Sequence, residues 1–516
     1  MIVKGVVAAG HERTARAAAE ILKEGGNAFD AVVAAHCVAC VAEPVLCSLG
    51  GGGFMMAHTE TGENLLYDFF VHTPHRGRPE AELDFHPIKA DFGAVQQEFH
   101  IGYGSVATPG TVKGLFTIHR EHCTLPMSRL MEPAITLARD GMTLNPLQAY
   151  IISVVSPILM ATAASRAIFA STEHAGPLRT GEMMRQPQLA NLMEALARDG
   201  DELFYCGDIA QLIERNCAEN GGHLRAEDLA AYRVISREPL RLRYRDAEVL
   251  TNPPPASGGL LTGFALDLLS TLEPARCTPG SAALLEMLAG VMALTNQARL
   301  DTHLDEGVHP DAMRLLDPNF LARYRQQIAG RSRCNRGTTH ISVMDSRGNV
   351  ASMTLSNGEG CGHILGDTGI MLNNMLGEED LNPGGFHRWS PDQRMTSMMS
   401  PSIVFRETDT AIALGSGGSN RIRTAILQVL VYLIDFDMPL QAAVEYPRIH
   451  EESGLLNIEG GFDRDEIAAL IVRHTNHKIW QERNLFFGGT HGVMRVGDSF
   501  LGAGDPRRGG SACVVT

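Results

Sequence analysis

The sequence predicts an α+β protein, because two different hydrophobic patterns run along it. Over 11–41 and again over 109–317, apolar residues recur at the three- and four-residue spacing of amphipathic helices. Over 339–344 polar and apolar residues alternate, as in a strand with one buried face, and 350–355 resumes as a strand after the turn residues 345–349. These two stretches predict a β-hairpin, and we expect the helical segments to form layers that cover a sheet.

Turn and cap signals divide the helical regions. The first region predicts two helices that break at 24–27, where Gly25 and Gly26 provide a C-cap. The glycine run 50–53 then leads into an extended stretch. Because the Lys-Ser or Lys-Thr of a phosphate loop is missing, we expect tight sheet packing or close approach to an active site there. Further helices are predicted over 114–121, 128–140, 188–199, 208–220 and 283–298.

Composition and charge exclude several kinds of binding partner and of cofactor. The 516 residues carry a net charge of −15 without a basic run, so nucleic acid and anionic membranes are poor partners. No charged and apolar leader precedes Gly5, which predicts a soluble, cytoplasmic protein. The cysteines are scattered, and Cys37 and Cys40 fall inside a helical pattern, so helix packing is favoured over a disulfide framework, a zinc site or a redox site. We therefore expect no metal and no cofactor.

Two adjacent threonines, Thr338 and Thr339, stand at the head of the predicted hairpin, directly after Gly337. A threonine hydroxyl is a poor nucleophile without a base beside it, but at the start of a chain its own α-amine can act as that base. The pKa of an α-amine is about 8, which suits a general base. The bond between Gly337 and Thr338 would have to be cut, and a residue without Cβ can adopt the strained backbone that self-cleavage exploits. The alternative is an ordinary hairpin in which both threonines are strand residues.

The stretch 338–343 resembles the start of the small subunit of the γ-glutamyltranspeptidase family. Six other motifs resemble landmarks of that family and occur in the same order, so that the resemblance runs from about Gly5 to Arg507. Seven collinear motifs favour the family over the ordinary hairpin. The six are LKEGGNAFDA at 22–31, LGGGGF at 49–54, PGTV at 109–112, PPPASGG at 253–259, MSP at 399–401 and DPR at 505–507.

The resemblance implies a fold and a maturation step. The fold is the four-layer αββα sandwich of the N-terminal nucleophile hydrolases, formed as a single domain over 1–516. The family makes a precursor, and the corresponding cut here separates a large piece, 1–337, from a small piece, 338–516, that begins with the nucleophile Thr338. The two pieces would remain together as a heterodimer.

The resemblance also assigns catalytic roles. By register, Ser356 is the hydroxyl residue on the second strand that holds the hydroxyl and the amine of Thr338. The glycine-rich loop 415–421 corresponds to the loop whose backbone N–H groups form the oxyanion hole, and Gly418 and Ser419 are the residues in register. An ordinary Gly/Ser turn is the alternative for this loop.

Substrate-binding residues follow from the same register. Asn373 and Glu378 lie in the segment where the family holds the α-amino group of the substrate, and Glu378 matches its acidic residue. Ser397 is the retained half of a serine pair. The family's asparagine after the second strand falls on Gly358, so Asn357 could take its role only if the chain bulges there, because a one-residue offset points the side chain the other way.

Three polar positions of the family's substrate site are apolar in this chain. The arginine that clamps the substrate α-carboxylate is replaced by Phe70, which removes a bidentate interaction. A glutamine position is Met375, and the second serine of the pair is Met398. Arg76 or Arg78 could replace the clamp, and solvated loop arginines are the alternative interpretation of these two residues.

Three functional hypotheses remain open. In the first, Thr338 Oγ cleaves a γ-glutamyl amide and passes the acyl group to water or an amine, with an altered carboxylate clamp. In the second, the same chemistry acts on a different small amide, of the oxamate or acyl-amide type. In the third, the protein is an unprocessed, inactive member of the family that acts as a binding protein.

Overall fold

A computed structural model describes residues 3–91, 96–302, 312–324, 338–382, 384–452 and 454–516. In these ranges the chain forms twenty strands, which are β1 (Gly5–Ala9), β2 (Gly52–His58), β3 (Asn64–Phe69), β4 (His86–Asp91), β5 (Gln96–Ile101), β6 (Met142–Thr143), β7 (Met183–Met184), β8 (Ile235–Arg237), β9 (Leu240–Tyr244), β10 (Ala247–Thr251), β11 (Thr339–Asp345), β12 (Val350–Ser356), β13 (Ser402–Arg406), β14 (Thr410–Gly417), β15 (Ile449–Glu452), β16 (Leu455–Ile458), β17 (His477–Ile479), β18 (Gly489–Val496), β19 (Ser499–Ala503) and β20 (Ser511–Val515).

The α-helices of the same ranges lie between these strands along the chain. None of them is both long enough and apolar enough to cross a membrane. They are α1 (Glu12–Lys23), α2 (Ala28–Ala42), α3 (Thr111–His122), α4 (Met127–Asp140), α5 (Pro146–Val154), α6 (Ser156–Leu159), α7 (Ala163–Phe169), α8 (Pro187–Asp199), α9 (Glu202–Tyr205), α10 (Asp208–Glu219), α11 (Ala226–Ala231), α12 (Gly258–Ser270), α13 (Ala282–Asp301), α14 (Pro318–Tyr324), α15 (Arg421–Ile434), α16 (Leu440–Glu445) and α17 (Arg464–Ile471).

Two stacked sheets form the centre of the fold. The first has the strand order β20-β1-β11-β12-β2-β3-β8, and the second has the order β19-β18-β14-β13-β10-β9. On β1, Val7 and Ala9 pack with the residues of α1 and α2, whereas Val6 and Ala8 pack with the second sheet and with α12, α13 and α15. This alternation places helices outside both sheets. The predicted four-layer αββα sandwich is therefore confirmed.

The predicted hairpin is confirmed as β11 and β12 at the middle of the first sheet. These strands pair antiparallel from Thr339 opposite Leu355 to Met344 opposite Val350. The turn between them is fixed by Asp345, whose Oδ1 accepts hydrogen bonds from the backbone N–H groups of Arg347 and Asn349 at 2.9 and 3.0 Å. An aspartate that bonds the backbone two residues on is a strong turn signal, which explains why this hairpin is visible in the sequence.

The break between the first two helices also lies where the sequence places it. Gly25 ends α1 with a φ of 97°, a conformation that favours glycine. Asn27 then starts α2 through a capping box with Asp30, an N-cap signal that complements the glycines. Cys37 and Cys40 lie buried inside α2, in agreement with the helix-packing interpretation.

The helical interpretation of 109–317 is right for five predicted helices and wrong for the segment that forms β8, β9 and β10. The strands β9 and β10 extend the second sheet to its edge. In β9 the buried Leu240 and Tyr244 alternate with the exposed Arg241 and Arg243, so a period of two was present. It spans only five residues, which is too short to be distinguished within a region of helical periodicity.

The glycine run packs tightly, as expected. A Cβ on Gly51 would collide with the carbonyl oxygen of Ser356, and one on Gly53 would lie 2.6 Å from the carbonyl oxygen of Thr354. Strand β2 therefore approaches β12 more closely than any other residue type would allow. This contact fixes the end of β12, where Ser356 lies.

Candidate active site

Thr338 stands immediately before β11, at the end of the hairpin that lies farthest from its turn. The pairing of β11 with β12 is described as far as Thr339 opposite Leu355. One further step in the same register places Ser356 opposite Thr338, and directly opposed residues have Cβ atoms about 5 Å apart. Thr338 is only 4% exposed. The structure thus brings together the two hydroxyl residues that the sequence predicts as a pair.

Only one of the two threonines faces the space between the sheets. Thr339 Oγ1 donates a hydrogen bond to Glu43 Oε2 at 2.7 Å, and Glu43 directly follows α2 in the outer helical layer. His340 lies on the opposite face, where its ring packs against Gly415 of β14. Since side chains alternate along a strand, Thr338 lies on the face of His340.

The glycine-rich loop contacts Thr338 directly. Strand β14 ends at Gly417, where a Cβ would collide with the carbonyl oxygen of Thr338. Gly418 and Ser419 follow with φ values of 124° and 52°, and α15 begins at Arg421. Consecutive backbone N–H groups at the start of a helix favour a negative charge. The loop therefore lies next to Thr338 at the start of a helix, where a negative charge is favoured.

Ser419 also connects this loop with the segment predicted to bind substrate. Its Oγ donates a hydrogen bond to Asp380 Oδ2 at 3.0 Å. Asp380 lies two residues after Glu378, in the segment that the family uses for the α-amino group. The side chain of Ser419 thus links the glycine-rich loop with the segment that contains Glu378.

Beyond Ser356 the chain turns sharply. Ser356 Oγ accepts a hydrogen bond from the backbone N–H of Gly358 at 3.1 Å, and Gly358 has a φ of 64°. A Cβ on Gly358 would collide with Asn374 Oδ1 and with Glu378 Oε1. The space that a side chain at position 358 would need is therefore occupied by the carboxamide of Asn374 and the carboxylate of Glu378. The carboxylate of Glu378 therefore lies beside the turn that follows Ser356.

Asn357 points away from this cluster. Its Nδ2 donates a hydrogen bond to the carbonyl oxygen of Met371 at 3.4 Å, and its Oδ1 lies against Gly51. The turn at Gly358 follows Asn357 and does not insert a bulge before it. The condition under which Asn357 would replace the family's asparagine is thus not met, and Asn374 stands in that space instead.

Asn373 is fully used by the fold. Its Nδ2 donates hydrogen bonds to the carbonyl oxygens of Gly50 and Ala107, both at 2.9 Å. Its Oδ1 accepts hydrogen bonds from the N–H groups of Ala107 and Met375 at 3.1 and 3.2 Å. A carboxamide has two donor hydrogens and two acceptor sites, so none remains for a substrate. The structure argues against Asn373 as a substrate ligand and favours a role in holding its segment in place.

Ser397 is anchored to the PPPASGG motif. Its carbonyl oxygen accepts hydrogen bonds from the N–H groups of Ser257 and Gly258 at 2.9 and 3.2 Å. Its Oγ accepts a hydrogen bond from the N–H of Met399 at 3.1 Å, which leaves the hydroxyl hydrogen as a donor. Ser397 can therefore still donate a hydrogen bond to a substrate.

The apolar replacements noted in the sequence share one hydrophobic cluster. Phe70 is 1% exposed and stacks on Phe54, with ring centroids 5.4 Å apart. Met375 and Met398 belong to the same cluster, between the sheets. Positions that carry polar substrate ligands in the family are thus built into the hydrophobic core.

Arg76 is exposed, and Arg78 donates a hydrogen bond through Nη2 to the carbonyl oxygen of Ala218 at 3.2 Å. Arg394 lies closer to the position of the missing clamp, since its Nη1 donates to the carbonyl oxygen of Phe70. It is 6% exposed and pairs with Asp68 at 3.3 Å. These contacts hold Arg394 against Phe70 and Asp68.

The buried histidines beside the site are neutral at neutral pH. Burial lowers the pKa of His340 well below its ordinary value and lowers that of His491 to about 4. Both ring nitrogens of His340 are occupied, by the hydroxyls of Thr354 and Ser342 at 2.8 and 2.9 Å. Both ring nitrogens of His340 are thus engaged with hydroxyl groups other than that of Thr338.

The sequence predicts no role for three residues that the structure places near Thr338 or Gly358. They are Glu43, Asn374 and Arg508. Arg508 donates a hydrogen bond through Nη1 to the carbonyl oxygen of Thr338 at 3.2 Å. Glu43 is the single acidic residue between Asp30 and Glu60, an isolated charge in an apolar stretch that could have drawn attention. Arg508 directly follows the DPR motif, but nothing local in the sequence indicates its contact with Thr338.

Within the described ranges, no cluster of histidine, cysteine and acidic side chains is suited to hold a metal ion.

Comparisons with known proteins show what the whole chain is similar to. The family model described as Gamma-glutamyltranspeptidase matches residues 14–515. The glutathione hydrolase proenzyme of Escherichia coli K12 is 30% identical over 98% of this chain and 90% of its own length. The acylase ACY 1 proenzyme of Pseudomonas sp. V22 is 31% identical over 92% of this chain and 87% of its own. The crystal structure of cephalosporin acylase from Bacillus halodurans superposes with a TM-score of 0.85 at 24% identity, covering 99% of this chain and 96% of that one.

Proposed function

Because the chain belongs to the gamma-glutamyltranspeptidase family, we propose that it cleaves a γ-glutamyl or related small amide through an acyl intermediate on Thr338. The acyl group then passes to water or to an amine. The observation that carries this proposal is the position of Thr338. It lies one residue beyond the last described pair of β11 and β12, at the end of the hairpin where Ser356 ends β12, and Gly417 of the glycine-rich loop packs against its carbonyl oxygen.

The proposal includes cleavage of the bond between Gly337 and Thr338, which frees the amine. Gly337 lies outside the described residues. The family relatives named as proenzymes support such a step. The first sheet takes β1, β2, β3 and β8 from before the cut and β11, β12 and β20 from after it. Since the two pieces share both sheets and their cores, we expect them to stay together as a heterodimer.

The reaction follows from the arrangement. The α-amine of Thr338 takes the proton of its own Oγ, and Oγ attacks the amide carbonyl carbon. The backbone N–H groups of Gly418 and Ser419 stabilise the oxyanion, and each such donor is typically worth about 3 kcal/mol in the transition state. The oxyanion collapses, and the leaving amine takes the proton from the ammonium. Water or an acceptor amine then attacks the ester carbon while the amine of Thr338 takes its proton, and the bond from that carbon to Thr338 Oγ breaks as Oγ takes the proton back.

Substrate recognition is proposed to depend on Glu378 and Ser397. The carboxylate of Glu378 suits an α-ammonium group, and the hydroxyl of Ser397 can donate to a carboxylate. The acyl-amide alternative draws support from Phe70, Met375 and Met398, because a site with three apolar positions in place of polar ligands suits an acyl group without an α-carboxylate.

A substrate panel tests the proposal. Purified protein is assayed with glutathione and other γ-glutamyl amides, and with simple acyl amides and oxamate. Thr338→Ala should abolish turnover of every compound and leave one intact band on a denaturing gel. Thr339→Ser is the matched control, since its hydroxyl contacts Glu43 on the other face, and it should mature and retain activity. An intact wild-type chain without turnover would favour the binding-protein hypothesis.

A further inference from the structure

Arg508 is a buried cation whose bonding suggests a role beyond stabilising the fold. It is 6% exposed, and both of its hydrogen bonds in the described part of the chain go to carbonyl oxygens. One is that of Thr338 at 3.2 Å, and the other is that of Leu485 at 3.4 Å. Its Nε has no hydrogen-bond partner among the described residues. A buried guanidinium that is satisfied only by two carbonyl groups is costly for the fold.

The chain places this arginine with little freedom. Arg508 ends the short turn Pro506–Arg508, which Asp505 starts by accepting a hydrogen bond from the N–H of Arg507 at 3.0 Å. The stem of Arg508 lies against Gly489, where a Cβ would collide with it. A Cβ on Gly417 would lie 3.4 Å from Nη1. The guanidinium is therefore held against both the candidate nucleophile and the oxyanion loop.

Several charged groups surround this contact. Asp505 on the turn, Glu43 after α2 and Glu359 after β12 act on Arg508 through space. Burial lowers the pKa of Arg508 to about 10, so it remains protonated at neutral pH. His491 on β18 is neutral, and Glu378 and Asp380 lie across the site. Asp505 is itself neutralised by the buried Arg448 and Arg507, at 2.8 and 3.1 Å.

We propose that Arg508 is a positioning residue for the proposed reaction, which holds the carbonyl group of Thr338 and whose positive charge favours the neutral, proton-accepting form of the adjoining amine. This inference rests on the proposed function, since it requires a free amine at Thr338. A cation close to an amine disfavours the ammonium form. The amine would then be a competent base at a lower pH than an ordinary α-amine.

The expected shift in the pKa of the Thr338 amine follows from the distance between that amine and Arg508. The nitrogen and the carbonyl oxygen of one residue are at most about 4 Å apart, so the amine of Thr338 lies within about 7 Å of Arg508 Nη1. At an effective dielectric constant of about 20, a positive unit charge at about 7 Å lowers the pKa of an amine by almost two units. Glu43 and Glu359 reduce this effect, since Asp505 is already paired with two arginines, and we expect a shift of about one pH unit.

The test is the acid limb of the pH profile of kcat/KM, which reports the base of the free enzyme. Arg508→Gln removes the charge and should move the limb to higher pH by about one unit. Arg508→Lys keeps the charge and should leave the limb within a few tenths of a unit. The matched control is Arg423→Gln, which removes a buried arginine of α15 that bonds Asn296, and it should not move the limb. Because Glu43 titrates in the same range, the shift should persist in a Glu43→Gln background.

Two results would overturn the inference. The first is a loss of activity in Arg508→Gln without a shift of the limb, which is what a merely structural arginine produces. The second result applies if Arg508→Gln does not mature. The pKa of the Thr338 amine is then measured in the wild-type protein by competitive acetylation at a series of pH values. A midpoint below the ordinary range of about 7.7–8.0 supports the inference, and one within or above that range contradicts it. Absence of any amino terminus at Thr338 contradicts the proposed function itself.

Discussion

Gly358→Ala should damage the site far more than an equivalent substitution elsewhere. The left-handed backbone costs a residue with a Cβ about 1–2 kcal/mol. The new Cβ would also collide with Asn374 Oδ1, which accepts hydrogen bonds from the N–H groups of Glu359 and Gly360 at 3.0 and 3.3 Å. Displacing that oxygen leaves buried donors unsatisfied, at about 1–3 kcal/mol each. The total destabilisation is therefore about 3–8 kcal/mol.

Gly348→Ala is the matched control for this substitution. Gly348 has a φ of 100°, so its backbone is at least as unfavourable for alanine, but nothing lies within 4 Å of a Cβ there. We expect only the backbone cost of about 1–2 kcal/mol, with unchanged kinetics. Urea denaturation is measured in a Thr338→Ala background, where the chain stays whole, and KM and kcat are measured in the matured enzyme. Gly358→Ala should also raise KM, because Glu378 must move. Equal stability loss and equal KM in the two variants would refute the reasoning.

The remaining predictions concern three other residues. Burial raises the pKa of Glu43 to about 7, so the folded protein holds a proton that the unfolded chain releases above about pH 4.5. The free energy of unfolding should therefore fall by about 3 kcal/mol between pH 4.5 and 7. Glu43→Gln should remove this pH dependence when thermal denaturation is measured over that range. Asn373→Ala should lower stability by several kcal/mol, since it orphans three backbone groups, the N–H and C=O of Ala107 and the N–H of Met375, and the denaturation midpoint should fall in parallel with activity, without an isolated rise in KM. Ser356→Ala should lower kcat and slow maturation, whereas Ser352→Ala, whose hydroxyl bonds the carbonyl oxygen of Leu414, should do neither in a gel and rate assay.

Much of this fold was predictable because its signals are local. The hairpin is marked by alternation and by the turn at Asp345, and the break between α1 and α2 is marked by Gly25. The glycine-rich loop is recognisable as a run of residues that tolerate unusual backbone angles. Each of these features is decided within a few residues of chain, where sequence patterns carry most information.

The rest of the site depends on contacts between distant parts of the chain. Thr339 meets Glu43 across 296 residues, and Arg508 meets Thr338 across 170. The exclusion of a side chain at Gly358 results from packing against Asn374, which no spacing reveals. Asn373 and Asn374 are adjacent in sequence, yet one is saturated by backbone groups and the other lies in the site. Only the three-dimensional register separates their roles.

The central claim is that Thr338 becomes a free amino terminus and carries the acyl group. The most direct measurement is mass spectrometry of the purified protein before and after brief incubation with an amide substrate at low pH, where the ester persists. We predict a small chain that begins at Thr338 and gains one acyl mass on that residue, with no gain after Thr338→Ala. A chain left whole, or an acyl group found on any other residue, would contradict the account.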